Sequence, residues 1–494
     1  MLQQTIDRVG QLLQEHLEAS KAGNTPALNQ QAPETIAQDL RLKERLINGF
    51  QGEEDLLSFV QHYLTHTNHL SNPHYMGHQV AVPQDLSGIP ELIHGTINNP
   101  SSLYEMGPAG GTCEGFMINW MLEKIGWLNG RDSYDFHFSP GQASGILTHG
   151  GSVANLTALA AARAAIAPDA WTEGNPSDLV VIGAASAHYS IARALSILGL
   201  GKKAFYPVAV DENEVLIIED LPKVYAKALT DGKRVMCVVA NACATSTGLF
   251  DPLDAMGDFC LEHHLWFHVD GAHGAAALAG PKSKALVEGI EKANSVIWDA
   301  HKMMRVPALC TAVLFRDFTY QAAAFQQKGS YVFHDTEVVG IDSMPYTIEC
   351  TKSALGTKLF WTFALEGEEK IGAFIDQSFQ LAKDFHALLA AEEDFSTPYF
   401  PQSNILCFLY EKYNEDDDFQ KRLRYAIINE KRFYITSCEM NGRRYLRVVL
   451  LHPDTNITHL KGLIEEVKRV AETVVYSWVI GILLANTKIM ATIG

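Results

Sequence analysis

Four places in this sequence carry side chains that could do chemistry, and each lies beside a short apolar run. Lys302 ends SVIWDAHK and is followed by two methionines. Burying a free ammonium is costly, so a lysine in such surroundings is paired, has a depressed pKa or is covalently engaged. A Schiff base with a carbonyl-bearing cofactor removes that cost, although a surface lysine at a strand end would read the same way in isolation. Asp270 closes LWFHVD, an apolar run broken only by His268. A carboxylate there suits a cationic partner, or it caps the segment that follows. His188, in ASAHYS, comes after VVIGAAS. Its imidazole could stack on a flat ring or exchange a proton, or it could sit at a helix start with its own hydrogen bond satisfied. Gly150, Gly151 and Ser152 precede a long alanine-rich stretch. The N–H groups at such a helix start attract phosphate, though a GGS triplet also occurs in many turns.

These residues need a scaffold, and the sequence indicates which kind. The 494 residues suggest several domains or one very large one, and a 47% hydrophobic content supports a sizeable core. Lys and Arg number 39 against 57 Asp and Glu, a net charge of −18 that disfavours nucleic acid and anionic membranes as partners. The eight cysteines include no CxxC pair, so neither a zinc knuckle nor a thioredoxin-like motif is expected, and no metal site is read. The N-terminal stretch reads as a polar amphipathic helix rather than a signal peptide, and a cytoplasmic setting is the expectation. The apolar run Val474 to Ala485 has twelve residues, too few for a membrane span of about 20. It reads as a terminal packing helix or strand.

Residues 73 to 110 hold five prolines and read as an irregular wrapping segment. From Ser152 onward, short β-branched runs alternate with helical stretches, which argues for a mainly parallel sheet covered on both faces. Ligands of such sheets sit beyond the carboxyl ends of the strands, where Lys302, Asp270 and His188 fall. After residue 352 the pattern becomes two helices, a strand, a helix, a strand and a last helix. The expected division is an N-terminal helical segment over 1–90, a large domain over 91–351 and a small α+β domain over 352–494.

The order of these signals carries more than any one of them. Taken with NPHYMGH, SLYEMGP, ATSTGLFDP, GSYVF and YLRVVLLHP, they make the chain resemble, from about Asn72 to Val470, the group II pyridoxal-phosphate-dependent amino-acid decarboxylases. That family includes the glutamate, aromatic amino-acid and cysteine sulfinate enzymes. The resemblance implies an α/β chain of the fold type I of pyridoxal 5'-phosphate (PLP) enzymes, a homodimer, and decarboxylation of an L-amino acid. It implies that Lys302 carries the cofactor, Asp270 pairs with its ring nitrogen and His188 stacks on its ring. Gly151, Ser152 and Thr245 would hold the phosphate, with Asp299 and His301 beside Lys302. Tyr331, in GSYVF, would deliver a proton after carbon dioxide leaves, and Arg447, in YLRVVL, would bind the α-carboxylate.

Several positions depart from the family pattern. HVDAAW reads HVDGAH here, Asn-Pro-His-Lys reads Asp299-Ala300-His301-Lys302, and the stretch before Thr245 lacks a glycine and a hydroxyl. His78, with Gln79 next to it, stands where glutamate decarboxylases carry the glutamine that contacts the distal carboxylate. A protonated histidine there could bind an acidic side chain; a neutral one could hydrogen-bond a hydroxyl or an amine. The favoured substrate is a small acidic amino acid, glutamate or aspartate. A diamino acid such as 2,4-diaminobutyrate, an aromatic amino acid, or oxidative deamination to an aldehyde are the alternatives.

Overall fold

The computed structural model describes residues 2–325, 342–414 and 418–493. The chain divides into two compact units, Gln79–Gln380 with Pro401–Ile405, and Met1–His78 with Leu381–Phe400 and Leu406–Gly494.

The larger unit is built on seven strands: β1 (Ser144–Thr148), β2 (Leu179–Ala184), β3 (Phe205–Val208), β4 (Arg234–Asn241), β5 (Phe267–Asp270), β6 (Ser295–Asp299) and β7 (Thr311–Phe315). Their order is β1-β7-β6-β5-β4-β2-β3. Only β7 runs against its neighbours, and the remaining pairs are parallel. The carboxyl ends of β1 to β6 therefore open at one edge. β1, β2, β5, β6 and β7 are buried throughout, which explains why their sequences are mostly apolar rather than alternating.

The helix Gly151–Ile166 follows β1 and is largely buried, with Ala154, Ala158, Ala160, Ala161 and Ala162 at 0–1% exposure. Alanine is the side chain that lets a helix lie close to a sheet while keeping full helix propensity, and burial all round removes any amphipathic stripe. The start of this helix is braced from below. Glu114 accepts from the Leu147 N–H, and the fully buried Lys352 donates to both Glu114 and the Leu147 carbonyl.

The proline-rich stretch is more ordered than its composition suggests. It contains the helix Ile89–Ile97, and Pro108 opens the helix Pro108–Ile125. Pro90 and Pro108 both sit in first turns, where the missing N–H has no helical acceptor to lose. These prolines start helices rather than break them.

The smaller unit carries β8 (Phe395–Ser396), β9 (Ile405–Tyr410), β10 (Thr436–Met440) and β11 (Arg443–Val449), in the order β10-β11-β9-β8. The helix Ile457–Ile493 includes the apolar run at 474–485. Among the described residues no helix is long and apolar enough to cross a membrane.

Candidate active site

The strand ends deliver their side chains to one place. β5 finishes at Asp270, β6 at Asp299 with Lys302 three residues beyond, and β4 at Asn241 ahead of Cys243 and Thr245. β2 is followed by His188, the N-cap of the helix Tyr189–Ile197. β1 leads through Gly150, at a φ of 107° that favours glycine, into Gly151 and Ser152. A cavity of about 220 Å³ is lined by Gly151, Ser152, His188, Thr245, Asp270, Asp299 and Lys302, together with Asn155, Asn241, Cys243 and His273. Seven sequence-read residues are thus brought together.

Lys302 is held by charge. Its Nζ lies 3.1 Å from Asp299 Oδ2. Burial pulls the ammonium's pKa down, but the Asp299 and Asp270 carboxylates more than offset that and leave it raised. Asp299 also accepts from the Thr311 hydroxyl at 2.6 Å. A methyl group on Gly151 would stand only 3.1 and 3.3 Å from the two Asp299 oxygens, so glycine is what lets this carboxylate lie against the helix start. His301 does not line the cavity; its Nε2 is 3.7 Å from Asp299 Oδ2 and its Nδ1 is 2.9 Å from the Cys310 carbonyl oxygen.

Asp270 is buried, accepting from Asn155 Nδ2 at 2.8 Å and from the Ala272 N–H at 3.3 Å. The His188 ring accepts from the Ser190 N–H and lies 2.7 Å from the Ser190 hydroxyl. His188 caps the helix, as one of the sequence readings has it, and it also lines the cavity. Burial, and then the Lys302 charge, lower its pKa against the pull of Asp270, so the ring is neutral at neutral pH.

His78 and Arg447 belong to the smaller unit. Arg447 lies on β11 opposite Thr436, with its Nη1 3.2 Å from the Thr436 hydroxyl and 3.4 Å from the Gly77 carbonyl oxygen. His78 packs on the Tyr434 ring at 5.5 Å between centroids. Its pKa is lowered by burial first and then by Arg447 and Arg424. Tyr331 lies outside the described residues. Sequence reasoning passed over Asn155, Ser190 and Asn241. The one signal for Asn155 was an amide within an alanine-rich helix.

The donor set fits pyridoxal phosphate. An amine and a buried carboxylate line one cavity with Gly151 and Ser152 at a helix start, where free N–H groups favour an anion, as an aldehyde, a ring nitrogen and a phosphate require. Comparison with known proteins agrees. The pattern of the pyridoxal-dependent decarboxylase conserved domain matches residues 50–411. Acidic amino acid decarboxylase GADL1 of Mus musculus is 27% identical over 458 residues, covering 88% of this chain and 80% of its own. The aromatic-L-amino-acid decarboxylase of Bacillus atrophaeus is 26% identical over 457 residues, covering 90% and 92%. In fold, the crystal structure of mouse CSAD superposes with a TM-score of 0.86 at 23% identity, over 95% of this chain and 98% of that one. The chain belongs to the pyridoxal-dependent decarboxylases, and is a carboxy-lyase that acts on an amino acid with pyridoxal 5'-phosphate as cofactor.

Proposed function

We propose that the substrate is a small acidic L-amino acid, glutamate or aspartate, converted to its amine and carbon dioxide. The carrying observation is the charge around His78. Arg447 and Arg424 both act on it, and burial keeps its imidazole neutral. Such a field attracts a second carboxylate and opposes a cationic side chain such as that of 2,4-diaminobutyrate. The name of the mouse relative, an acidic amino acid decarboxylase, is consistent with this reading. His78 would then act as a neutral hydrogen-bond donor to the substrate's distal group, not as its counter-ion.

Lys302 would hold the cofactor, with Gly151, Ser152 and Thr245 on its phosphate and Asp299 and His301 flanking the lysine. When bound, the cofactor supplies an electron sink into which the bond to the carboxylate can break. Asp270 would keep the proton on the ring nitrogen, and His188 would cover the ring face. Arg447 would grip the α-carboxylate with its guanidinium fork. Tyr331 would give a proton to the substrate's Cα and thereby decide between amine and aldehyde. A second copy of the chain would complete a homodimer.

The test is a panel of glutamate, aspartate, cysteine sulfinate, 2,4-diaminobutyrate and aromatic amino acids incubated with enzyme and PLP, with carbon dioxide and amines measured. Glutamate or aspartate should give the highest kcat/KM. An aromatic or diamino acid in first place would overturn the substrate reading. Borohydride trapping should label Lys302 and no other lysine.

A further inference from the structure

From the cavity wall inward runs a chain of buried polar side chains, Asn155, Ser190, His268 and Ser295, that the reaction as proposed does not use. Asn155, at 1% exposure, is its centre. The Asn155 amide nitrogen lies 2.8 Å from Asp270 Oδ2 and 2.8 Å from the Ser190 hydroxyl, and its carbonyl oxygen lies 2.9 Å from His268 Nε2. We infer that Asn155 is a positioning residue that orders the protons of the site, orienting Asp270 and, through Ser190, holding His188 as the tautomer protonated on Nε2. This rests on the reading of Asp270 and His188 as cofactor-facing groups.

The direction of each bond follows from what each group can do. An Asp270 carboxylate only accepts, so the amide nitrogen of Asn155 must face it and the amide oxygen must face His268. His268 Nε2 therefore donates. Its Nδ1 then accepts, and the Ser295 hydroxyl stands 2.8 Å away to donate, nearer than the Ser295 carbonyl oxygen at 3.2 Å, which can only accept and is left to its other partners. That hydroxyl is free to turn its proton toward His268 because its oxygen accepts from the Trp266 indole N–H at 3.0 Å. Burial lowers the His268 pKa to about 4, against the pull of Asp270, which keeps this ring a one-proton group.

The same logic runs the other way. The Ser190 oxygen accepts from Asn155, so its proton goes to His188 Nδ1 at 2.7 Å. The Ser190 N–H points at the same nitrogen from 3.3 Å. Two donors meet at Nδ1, so the ring's proton sits on Nε2, and a cavity-lining imidazole is left with an N–H to offer. The charges that act on it are Asp270, Lys302, Asp299 and Arg193.

Apoenzyme labelled with nitrogen-15 at histidine tests this without the cofactor. The His188 signals, assigned by their loss in His188→Gln, should show an unprotonated Nδ1 and a protonated Nε2. In Asn155→Leu and in Ser190→Ala the two signals should move toward each other as the tautomers mix, and Ser190→Thr, which keeps the hydroxyl, should restore them. With cofactor and substrate, kcat of Ser190→Ala should fall about 10- to 100-fold, what a lost hydrogen bond to a working group is worth. If Asn155→Leu does not fold, Ser190→Ala alone carries the test. A wild-type His188 protonated on Nδ1, or signals unmoved in Ser190→Ala, overturns the inference. Failure of borohydride to trap Lys302 would instead overturn the underlying site reading, which the apoenzyme spectra do not touch.

Discussion

Asp299→Asn is the most informative single change, because it restores the amide usual in the family at a place where this chain has a charge. Asp299 Oδ2 is 3.1 Å from Lys302 Nζ, and the carboxylate is 2% exposed. Two unit charges at that separation attract by about 5 kcal/mol at an effective dielectric constant of about 20. The amide keeps a dipole and the Thr311 contact, so only part of that is lost. Even a quarter of it, roughly 1.4 kcal/mol, changes the ratio of ammonium to amine tenfold. The sign is fixed: removing the carboxylate favours the neutral amine, so Lys302 becomes nucleophilic at lower pH. Competitive acetylation of the apoenzyme across pH, read at Lys302 by mass spectrometry, reports this directly. In the wild type the lysine should become reactive only at a pH above that of an exposed lysine, since its pKa is raised. In Asp299→Asn that onset should move down, with at least a tenfold gain in reactivity at a fixed pH below it. An onset that stays put or moves up would refute the argument that Asp299 sets the charge of Lys302.

Four further outcomes are expected. Lys352→Met should destabilise the fold by about 3–5 kcal/mol, because it leaves Glu114 buried without its partner; adding Glu114→Leu should recover much of the loss in denaturant melts. Gly356→Ala should destabilise by about 3 kcal/mol or more, since its methyl would stand 2.2 Å from the Glu114 backbone nitrogen. Gly10→Ala, with nothing within 4 Å, should stabilise by up to about 1 kcal/mol. Burial holds His268 and His74 at pKa values of about 4, so the stability they contribute is complete above the ordinary imidazole value and is lost as pH falls through the interval below it. Asp251, pushed up to about 6 by burial, opposes this in the same interval, but the two histidines outweigh it. The denaturant midpoint should therefore drop on acidification from about pH 6.5 to about 4, and His268→Gln should flatten that fall.

How much of this was legible in the sequence depends on what each residue answers to. The strands announced themselves because a sheet buried on both faces is written in mostly apolar residues, and β5 and β6 each end at a carboxylate. Lys302, Asp270 and His188 were readable for the same reason, as each follows or closes an apolar run at the carboxyl edge of the sheet. The helix Ile89–Ile97 was not, because proline in a first turn and proline as a breaker are the same letter, distinguished only by which N–H would have gone unpaired.

The polar chain behind the site was illegible for a deeper reason. Asn155 lies 35 residues from Ser190 and 115 from Asp270 in sequence. No local period links them, and an amide inside an alanine helix looks like a mild imperfection. Its meaning comes only from three partners that the sheet order places around it. The helix Gly151–Ile166 packs on the sheet, Asp270 ends the central strand β5, and the cap at His188 brings Ser190 over both. A buried polar group without partners is expensive, and here both amide protons and the amide oxygen of Asn155 meet neighbours from other elements. The sequence therefore names charged groups that line the cavity, while the hydrogen bonds that orient them come from residues whose spacing says nothing until the strands are ordered.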